Sequence, residues 1–274
     1  AQVSMYLPDH ATLIVGDGNF SFSAALVQHF LRERPDLAGS NVVATSYDTE
    51  QEIRDKYPEA EEIVAFLVDS RATVLHGVDA TDLPSTVSGT FDRIVFQFPL
   101  VNPASGRAAH EAQPDYILRN RELMWKFGLS AAALLSQDGE IHLTNKEVYP
   151  YTWWGTRRLQ EWCRLTLLRE VPFETDQYPG YSTRIVTRAA EFAPTKAVTF
   201  VFGALQRQQT ESPSRCRICE VSCTSQADLE KHLVSKKHLE RERLDTKWDK
   251  MMAEYFAVLV DPGLPSTVTT VSGT

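Results

Sequence analysis

The sequence predicts an α/β fold: a mostly parallel sheet with helices on both faces, followed by a small metal-folded ββα unit and a trailing helix. Three observations carry this. Short apolar runs alternate with helical stretches from residue 11 to about residue 164. The first run ends in a glycine turn that opens a helix, Leu13-Ile14-Val15-Gly16-Asp17-Gly18-Asn19-Phe20-Ser21-Phe22-Ser23. Near the C-terminus the chain reads Cys216-x2-Cys219-x12-His232-x5-His238, the ligand types and spacing of a two-Cys two-His zinc site.

Composition sets the bounds. A chain of 274 residues, 43% hydrophobic and 23% charged, suits one domain of about 200 residues with a small appendage. The net charge of −8 argues against wrapping bare nucleic acid, so any RNA contact must be local. Residues 215–250 hold nine basic and seven acidic groups and form the one basic cluster. Three of the four cysteines lie within eight residues, which indicates metal in a reducing compartment and not a disulfide framework. No apolar run approaches the roughly 18 residues of a membrane span, so no membrane partner is expected. No signal peptide is visible; a targeting segment removed ahead of Ala1 would make the setting mitochondrial.

Each element follows in order. Ala11 to Val15 is a buried strand. Gly16 and Gly18 let the backbone turn sharply and a ligand lie against it. The third glycine of the dinucleotide fingerprint is replaced by Ser21, and Asp17 within the turn would repel a pyrophosphate. A carboxylate there suits a ligand with an amino group and no phosphate, such as S-adenosylmethionine; a plain tight turn is the other reading. The helix Phe22–Leu31 leads to a second strand, Asn41–Asp48. Its terminal acid is set to hold ribose hydroxyls or to cap the next helix. Residues 50–70 read as helical, with Glu59 to Glu62 a solvated face. In the third strand region, Ala72–Thr81, Asp79 is placed to accept from an adenine amino group, with Val78 and Ala80 flanking the ring. The alternative is a loop aspartate bonding its own backbone. His76 reads as a strand-end histidine, not a ligand.

Phe91–Leu100 is a fourth strand stopped by Pro99. Ligand chemistry sits beyond the carboxyl ends of such strands, which places Gln97 to Leu100 beside the reacting group. A polar loop, 101–113, is a possible lid. A long helix follows, Tyr116–Ser136, then a fifth strand, Glu140–Thr144. The aromatic cluster Tyr149–Trp154, a helix Thr156–Arg164, and two or three strands between Arg164 and Phe202 close the domain. These strands are interrupted by Tyr178-Pro179-Gly180-Tyr181. The main domain therefore spans 8–204, the linker 205–214, the finger 215–240, a helix 241–260 and a flexible tail 261–274. The helix carries an apolar stripe, Trp248, Met251, Met252, Tyr255 and Phe256, suited to packing on the main domain or a partner.

In the finger, Cys216, Cys219, His232 and His238 are the expected ligands, and Cys223 and Leu229 the expected core. A unit this small needs zinc to fold. The run His232-Leu233-Val234-Ser235-Lys236-Lys237-His238 resembles the matrin-type fingers, which bind RNA or proteins of RNA particles. Lys231, Lys236, Lys237, Arg241 and Arg243 are candidates to meet phosphates; a solvated face on a protein-docking module is the other reading.

Six blocks occur in order: Val15-Gly-Asp-Gly-Asn-Phe-Ser-Phe-Ser23, Ala44-Thr-Ser-Tyr-Asp48, His76-Gly-Val-Asp-Ala-Thr81, Phe91-Asp-Arg-Ile-Val-Phe96, Ile141-His-Leu-Thr-Asn-Lys146 and Tyr178-Pro-Gly-Tyr181. Together they resemble the fungal 25S ribosomal RNA uridine-N3 methyltransferase family, a Rossmann-like class I methyltransferase group, over about residues 10–190. The resemblance implies S-adenosylmethionine, a large-subunit ribosomal RNA substrate or pre-ribosomal particle, and a nuclear, nucleolar setting. On this basis Gly16, Asp17, Gly18, Asn19, Phe20 and Ser21 take the methionine end, Asp48 the ribose, and Asp79 with Ala80 the adenine. Gln97 and Pro99 position the base. Lys146, at the end of strand five, is a candidate to polarise a uracil carbonyl; a surface lysine is the other reading. One departure matters. The family reads Phe-Asn-Phe-Pro-His where this chain has Phe96-Gln97-Phe98-Pro99-Leu100. Methylation at N3 of uridine removes a weakly acidic proton, and Leu100 cannot take it. The sequence thus supports an RNA methyltransferase and, as an alternative, an inactive ribosome-assembly scaffold on the same fold. A nicotinamide dehydrogenase is disfavoured by the missing third glycine.

Overall fold

The computed structural model describes residues 5–101, 112–185, 188–204 and 215–259, without the side chains of 160, 185, 188, 189 and 254–259. Residues 102–111 of the expected lid (101–113), the linker 205–214 and the tail 261–274 lie outside the described residues. The chain divides into two compact units, Ala1–Gln209 and Thr210–Thr274.

The first unit begins with β1 (Thr12–Val15), α1 (Ser21–Glu33), β2 (Val42–Thr45), α2 (Glu50–Lys56), α3 (Ala60–Asp69), β3 (Thr73–Leu75) and β4 (Phe91–Gln97). It continues through α4 (Pro114–Ala132), β5 (Leu135–Lys146), α5 (Leu159–Trp162), β6 (Leu165–Pro172), β7 (Arg184–Ile185), β8 (Arg188–Glu191) and β9 (Ala197–Ala204). Seven strands form one sheet in the order β3-β2-β1-β4-β5-β9-β6, and β7 pairs with β8 apart from it. The neighbours from β3 to β5 are parallel. β9 runs antiparallel to both β5 and β6 and lies between them. This is the Rossmann-like class I methyltransferase arrangement that the sequence predicts.

Register explains the position of the site. Ile14 pairs with Ala44 and Val15 with Phe96, while Thr45 pairs with Leu75. The ends of β1, β2, β3 and β4 are therefore level. The strand order reverses between β1 and β4, and a crevice opens at such a reversal, beyond the carboxyl ends. β1 is fully buried, as a central parallel strand covered on both faces must be. α1 lays Phe22, Leu26, Val27 and Phe30 into a core shared with Ile14, Val42 and Ala44. Burying each large apolar side chain contributes about 1.5–3 kcal/mol.

Several expectations change. Residues 50–70 form two helices because Tyr57 precedes Pro58, and the residue before a proline is pushed out of the helical region; Tyr57 ends α2 at φ −134° and ψ 88°, outside that region. Glu59 is not a solvated acid: it accepts from Asn19 Nδ2 at 3.1 Å and from Arg184 at 2.5 Å. β5 extends through Gly139 in both directions. The helix expected at Thr156–Arg164 is one 3₁₀ turn followed by α5. The region Arg164–Phe202 holds four strands.

The second unit opens with a hairpin, β10 (Arg215–Cys216) and β11 (Val221–Ser222), with Cys216 opposite Val221. α6 (Gln226–Leu233) is capped by Ser225, whose Oγ accepts from Asp228 N at 3.2 Å. α7 (Lys236–Leu259) starts five residues ahead of the expected 241 and takes in His238. Among the described residues, no helix is long and apolar enough to cross a membrane.

Candidate cofactor cleft and zinc centre

The glycine turn after β1 assigns different duties to its two glycines. Gly16 has φ 63°, and a Cβ there would stand 2.8 Å from Phe96 Cε2. Gly18 has no such backbone demand, and its nearest neighbour to a built Cβ would be Tyr57 Oη at 3.6 Å; its missing side chain leaves room over the turn. Phe20, at the N-cap of α1, is also left-handed, with φ 62°. Asp17 Oδ2 accepts from Ser23 N and Oγ, both at 2.7 Å. Its carboxylate thus satisfies the first turn of α1, and burial pushes its pKa up. Ser21 Oγ lies 2.7 Å from Asn19 Oδ1 and accepts from Ser182 N at 3.1 Å.

A cavity of about 370 Å³ lies over these strand ends. Gly16 to Asn19, Ser46 to Asp48, Val78 to Thr81 and Phe96 to Val101 line it in four groups, one from each level strand tip. Asp17, Asp48 and Asp79 therefore share one hollow. Each also has a local partner. Asp48 Oδ1 accepts from Lys56 Nζ at 2.7 Å; the cap of α2 is Thr49, in a capping box with Glu52. Asp79 Oδ1 accepts from Thr81 N and Oγ1, both at 2.8 Å, so it is a self-bonded loop aspartate that also faces the cavity. His76 lies outside the lining, with Nδ1 3.0 Å from Ser46 Oγ.

The end of β4 differs in character. Gln97 lines the cavity, and both its Nε2 and Oε1 are buried without a hydrogen-bond partner among the described residues. A buried amide with both groups unpaired costs stability, and a water or a bound ligand can complete its bonding. Phe98 follows with φ 52°, rare for an aromatic residue and a form of strain that gathers at functional sites. Its ring meets Phe173 and Phe192 edge-on. Pro99 and Leu100 complete the wall.

Three expected site residues are not in the lining. Phe20 and Ser21 are buried and shape the turn. Lys146 Nζ sits 4.6 Å from the ring centre of Phe192 and 5.2 Å from that of Tyr151. Residues not anticipated at the cavity are Tyr57, Arg119, Leu123, Tyr181, Ser182, Arg184 and Phe192. The signal for part of this group is the Tyr178-Pro-Gly-Tyr181 block, which delivers Tyr181 to Arg184 to the turn.

In the second unit the ligand atoms of Cys216, Cys219, His232 and His238 lie within 4.8 Å of one another. His238 Nδ1 is 3.5 Å from each of the two cysteine sulfurs. Ordinary zinc–sulfur and zinc–nitrogen bonds at tetrahedral angles set this spacing at about 3.5 Å. His232 Nε2 is buried without a hydrogen-bond partner among the described residues, as a ligand atom should be. The four residues fit zinc. Cys223 is outside the cluster, half-buried, and Leu229 is buried. Lys231, Lys236, Lys237 and Arg243 are exposed. Arg241, expected at a phosphate, is instead buried and faces Glu220 at 4.0 Å.

Residues 13–185 match the family described as rRNA (uridine-N3-)-methyltransferase BTM5-like, and residues 214–238 match zinc fingers of C2H2 type. Similar curated proteins include the heavy metal-associated isoprenylated plant protein 41 of Arabidopsis thaliana, 35% identical over 66% of this chain and 34% of that protein. An uncharacterized Arabidopsis thaliana protein is 36% identical over 65% of this chain and 83% of its own length. The 25S rRNA (uridine(2634)-N(3))-methyltransferase of Saccharomyces cerevisiae is 23% identical over 67% of this chain and 68% of that protein. The chain thus spans about a third of the first relative and most of the second. Its strand order, its glycine turn and the match over 13–185 agree: the chain belongs to the rRNA (uridine-N3-)-methyltransferase BTM5-like family and carries a C2H2 zinc finger behind that domain.

Proposed function

We propose that this chain is an S-adenosylmethionine-dependent methyltransferase of ribosomal RNA, acting at N3 of a uridine. The observation that carries the reading is the single cleft at the sheet's switch point. It joins three strand-tip acids to the unpartnered amide of Gln97. S-adenosylmethionine supplies an electrophilic methyl group when bound. Gly16 to Asn19 hold its amino-acid end, Asp48 its ribose, and Asp79 with Ala80 its adenine. Gln97 donates through Nε2 to a uracil carbonyl beside N3, which stabilises the anion left when the N3 proton passes to water, and Pro99 fixes the plane of the base. Leu100 takes no proton. The group in the cavity lining left to favour ionisation of N3 is the Gln97 amide donor to a flanking carbonyl.

The exposed Lys231, Lys236, Lys237 and Arg243 on the finger supply a phosphate-binding face. The partner is a pre-ribosomal particle, and the setting is nucleolar. The test is transfer of labelled methyl from S-adenosylmethionine to ribosomal RNA, with the product nucleoside identified by mass spectrometry. N3-methyluridine is the expected product. Cofactor binding without transfer would leave a ribosome-assembly scaffold, the reading favoured by the apolar Leu100 at the cavity wall.

A further inference from the structure

We propose that Arg184 forms a carboxylate subsite for the amino-acid end of the cofactor, an assignment that rests on the cofactor reading above. Among the described residues, the cavity has two cationic side chains in its lining, Arg119 and Arg184. Arg184 is the one at the glycine turn: its Cβ is 3.9 Å from where a Cβ on Gly18 would stand. Two residues earlier, Ser182 exchanges hydrogen bonds with Ser21 at the start of α1. The segment is thus fixed above the turn.

The guanidinium is held but not saturated. It pairs with Glu59 at 2.5 Å, and Glu59 is itself held by Asn19 of the turn. Its group lies 5.9 Å from the ring centre of Tyr57. Its Nε is buried and has no hydrogen-bond partner among the described residues. The second carboxylate nearby, Glu191, stands 3.7 Å away with a side chain 65% exposed, accepts from Ser182 Oγ at 2.7 Å, and makes no hydrogen bond to Arg184 at that distance. A free amino-acid end carries an ammonium and a carboxylate. The turn offers an acid, Asp17, and its cover offers a cation, Arg184. That pairing matches a zwitterion, and arginine binds a carboxylate through charge-assisted bonds. A clamp that merely tied β7 to the start of α3 would need no place in the cavity lining.

The experiment is calorimetry on the zinc-loaded full chain with two probes, S-adenosylmethionine and its decarboxylated form, which lacks only the carboxylate. The wild type should prefer the intact cofactor by roughly tenfold. Arg184→Met should bind both alike, and Arg184→Lys should keep part of the preference. Glu191→Gln, which removes the competing negative charge, should tighten S-adenosylmethionine alone. Equal binding of both probes by the wild type overturns the subsite while leaving the cofactor reading intact. This outcome needs no variant to fold. Full preference retained in folded Arg184→Met overturns it as well. Failure of the wild type to bind either probe overturns the cofactor reading and the subsite together.

Discussion

At the scale of single residues, the two glycines of the turn separate folding from binding. Gly16→Ala meets both a left-handed backbone and the Phe96 ring at 2.8 Å. It should lose about 2–4 kcal/mol of stability, read as a lower unfolding midpoint in denaturant. Gly18→Ala meets nothing nearer than 3.6 Å; it should keep its midpoint and lose cofactor affinity. The reverse pattern would refute the division. Asp79→Ala should weaken S-adenosylmethionine about tenfold in calorimetry. It should also cost about 1 kcal/mol, because Asp79 bonds Thr81 N at the N-cap of a 3₁₀ turn. The acids at the strand tips are legible in the sequence because each follows a recognisable apolar run. Arg184 is not. It reaches the turn from a two-residue strand 161 positions or more downstream of α1's start, and no local pattern encodes that return. The Gln97 substitution is visible as a change of letter, but its two open hydrogen-bonding groups emerge only from packing.

At the scale of elements, β5 carries a buried polar chain that titrates. His142 Nδ1 is 3.0 Å from Tyr6 Oη, and its Nε2 is 2.9 Å from Glu140. Burial holds His142 below its ordinary value of 6.5. Burial pushes the Glu140 carboxyl up, but hydrogen bonds from His142 and Arg169 outweigh it and hold the group below 4.5. In both cases the unfolded chain takes up the proton first. Stability is then full above pH 6.5 and falls as pH drops below 6.5 for His142, and below 4.5 for Glu140. The unfolding midpoint should fall between pH 7 and pH 5, and His142→Gln should flatten that slope by up to about 1.4 kcal/mol per pH unit. An unchanged slope would show that His142 is not the titrating group. The sheet was legible from β1 to β4, where an apolar run marks each strand and an acid follows each of the first three. Beyond β5 it was less so: the direction of β9 is set by its pairing, since a strand buried on both faces reads the same either way.

At the scale of the whole molecule, the family domain and the finger are separate compact units, and their contributions should separate in experiment. Metal analysis should find one zinc per chain. Cys219→Ser breaks a ligand set whose atoms lie within 4.8 Å and should release that zinc. It should leave S-adenosylmethionine affinity unchanged and reduce RNA affinity, with a shallower dependence on salt because fewer phosphates are neutralised. Equal RNA affinity in the zinc-free variant would assign RNA binding to the first unit. The finger was the most legible part of the chain, since four ligands at fixed spacing leave few other structures open. The set of basic residues proposed to meet phosphates was less so: Arg241 and Arg243 look alike in sequence, and helix phase alone buries one and exposes the other.

The paired hydrogen bonds between Ser21 and Ser182 join points 161 residues apart. A nascent chain emerging from the ribosome therefore owns the floor of the cleft long before it owns the ceiling. With Arg184 as the proposed carboxylate subsite, the amino-acid end of the cofactor has no complete pocket until the segment around Ser182 and Arg184 has been translated and has closed over the turn. Ligand capture thus waits for almost the whole first unit to be synthesised, and bound cofactor then fastens the late-made segment to the early one.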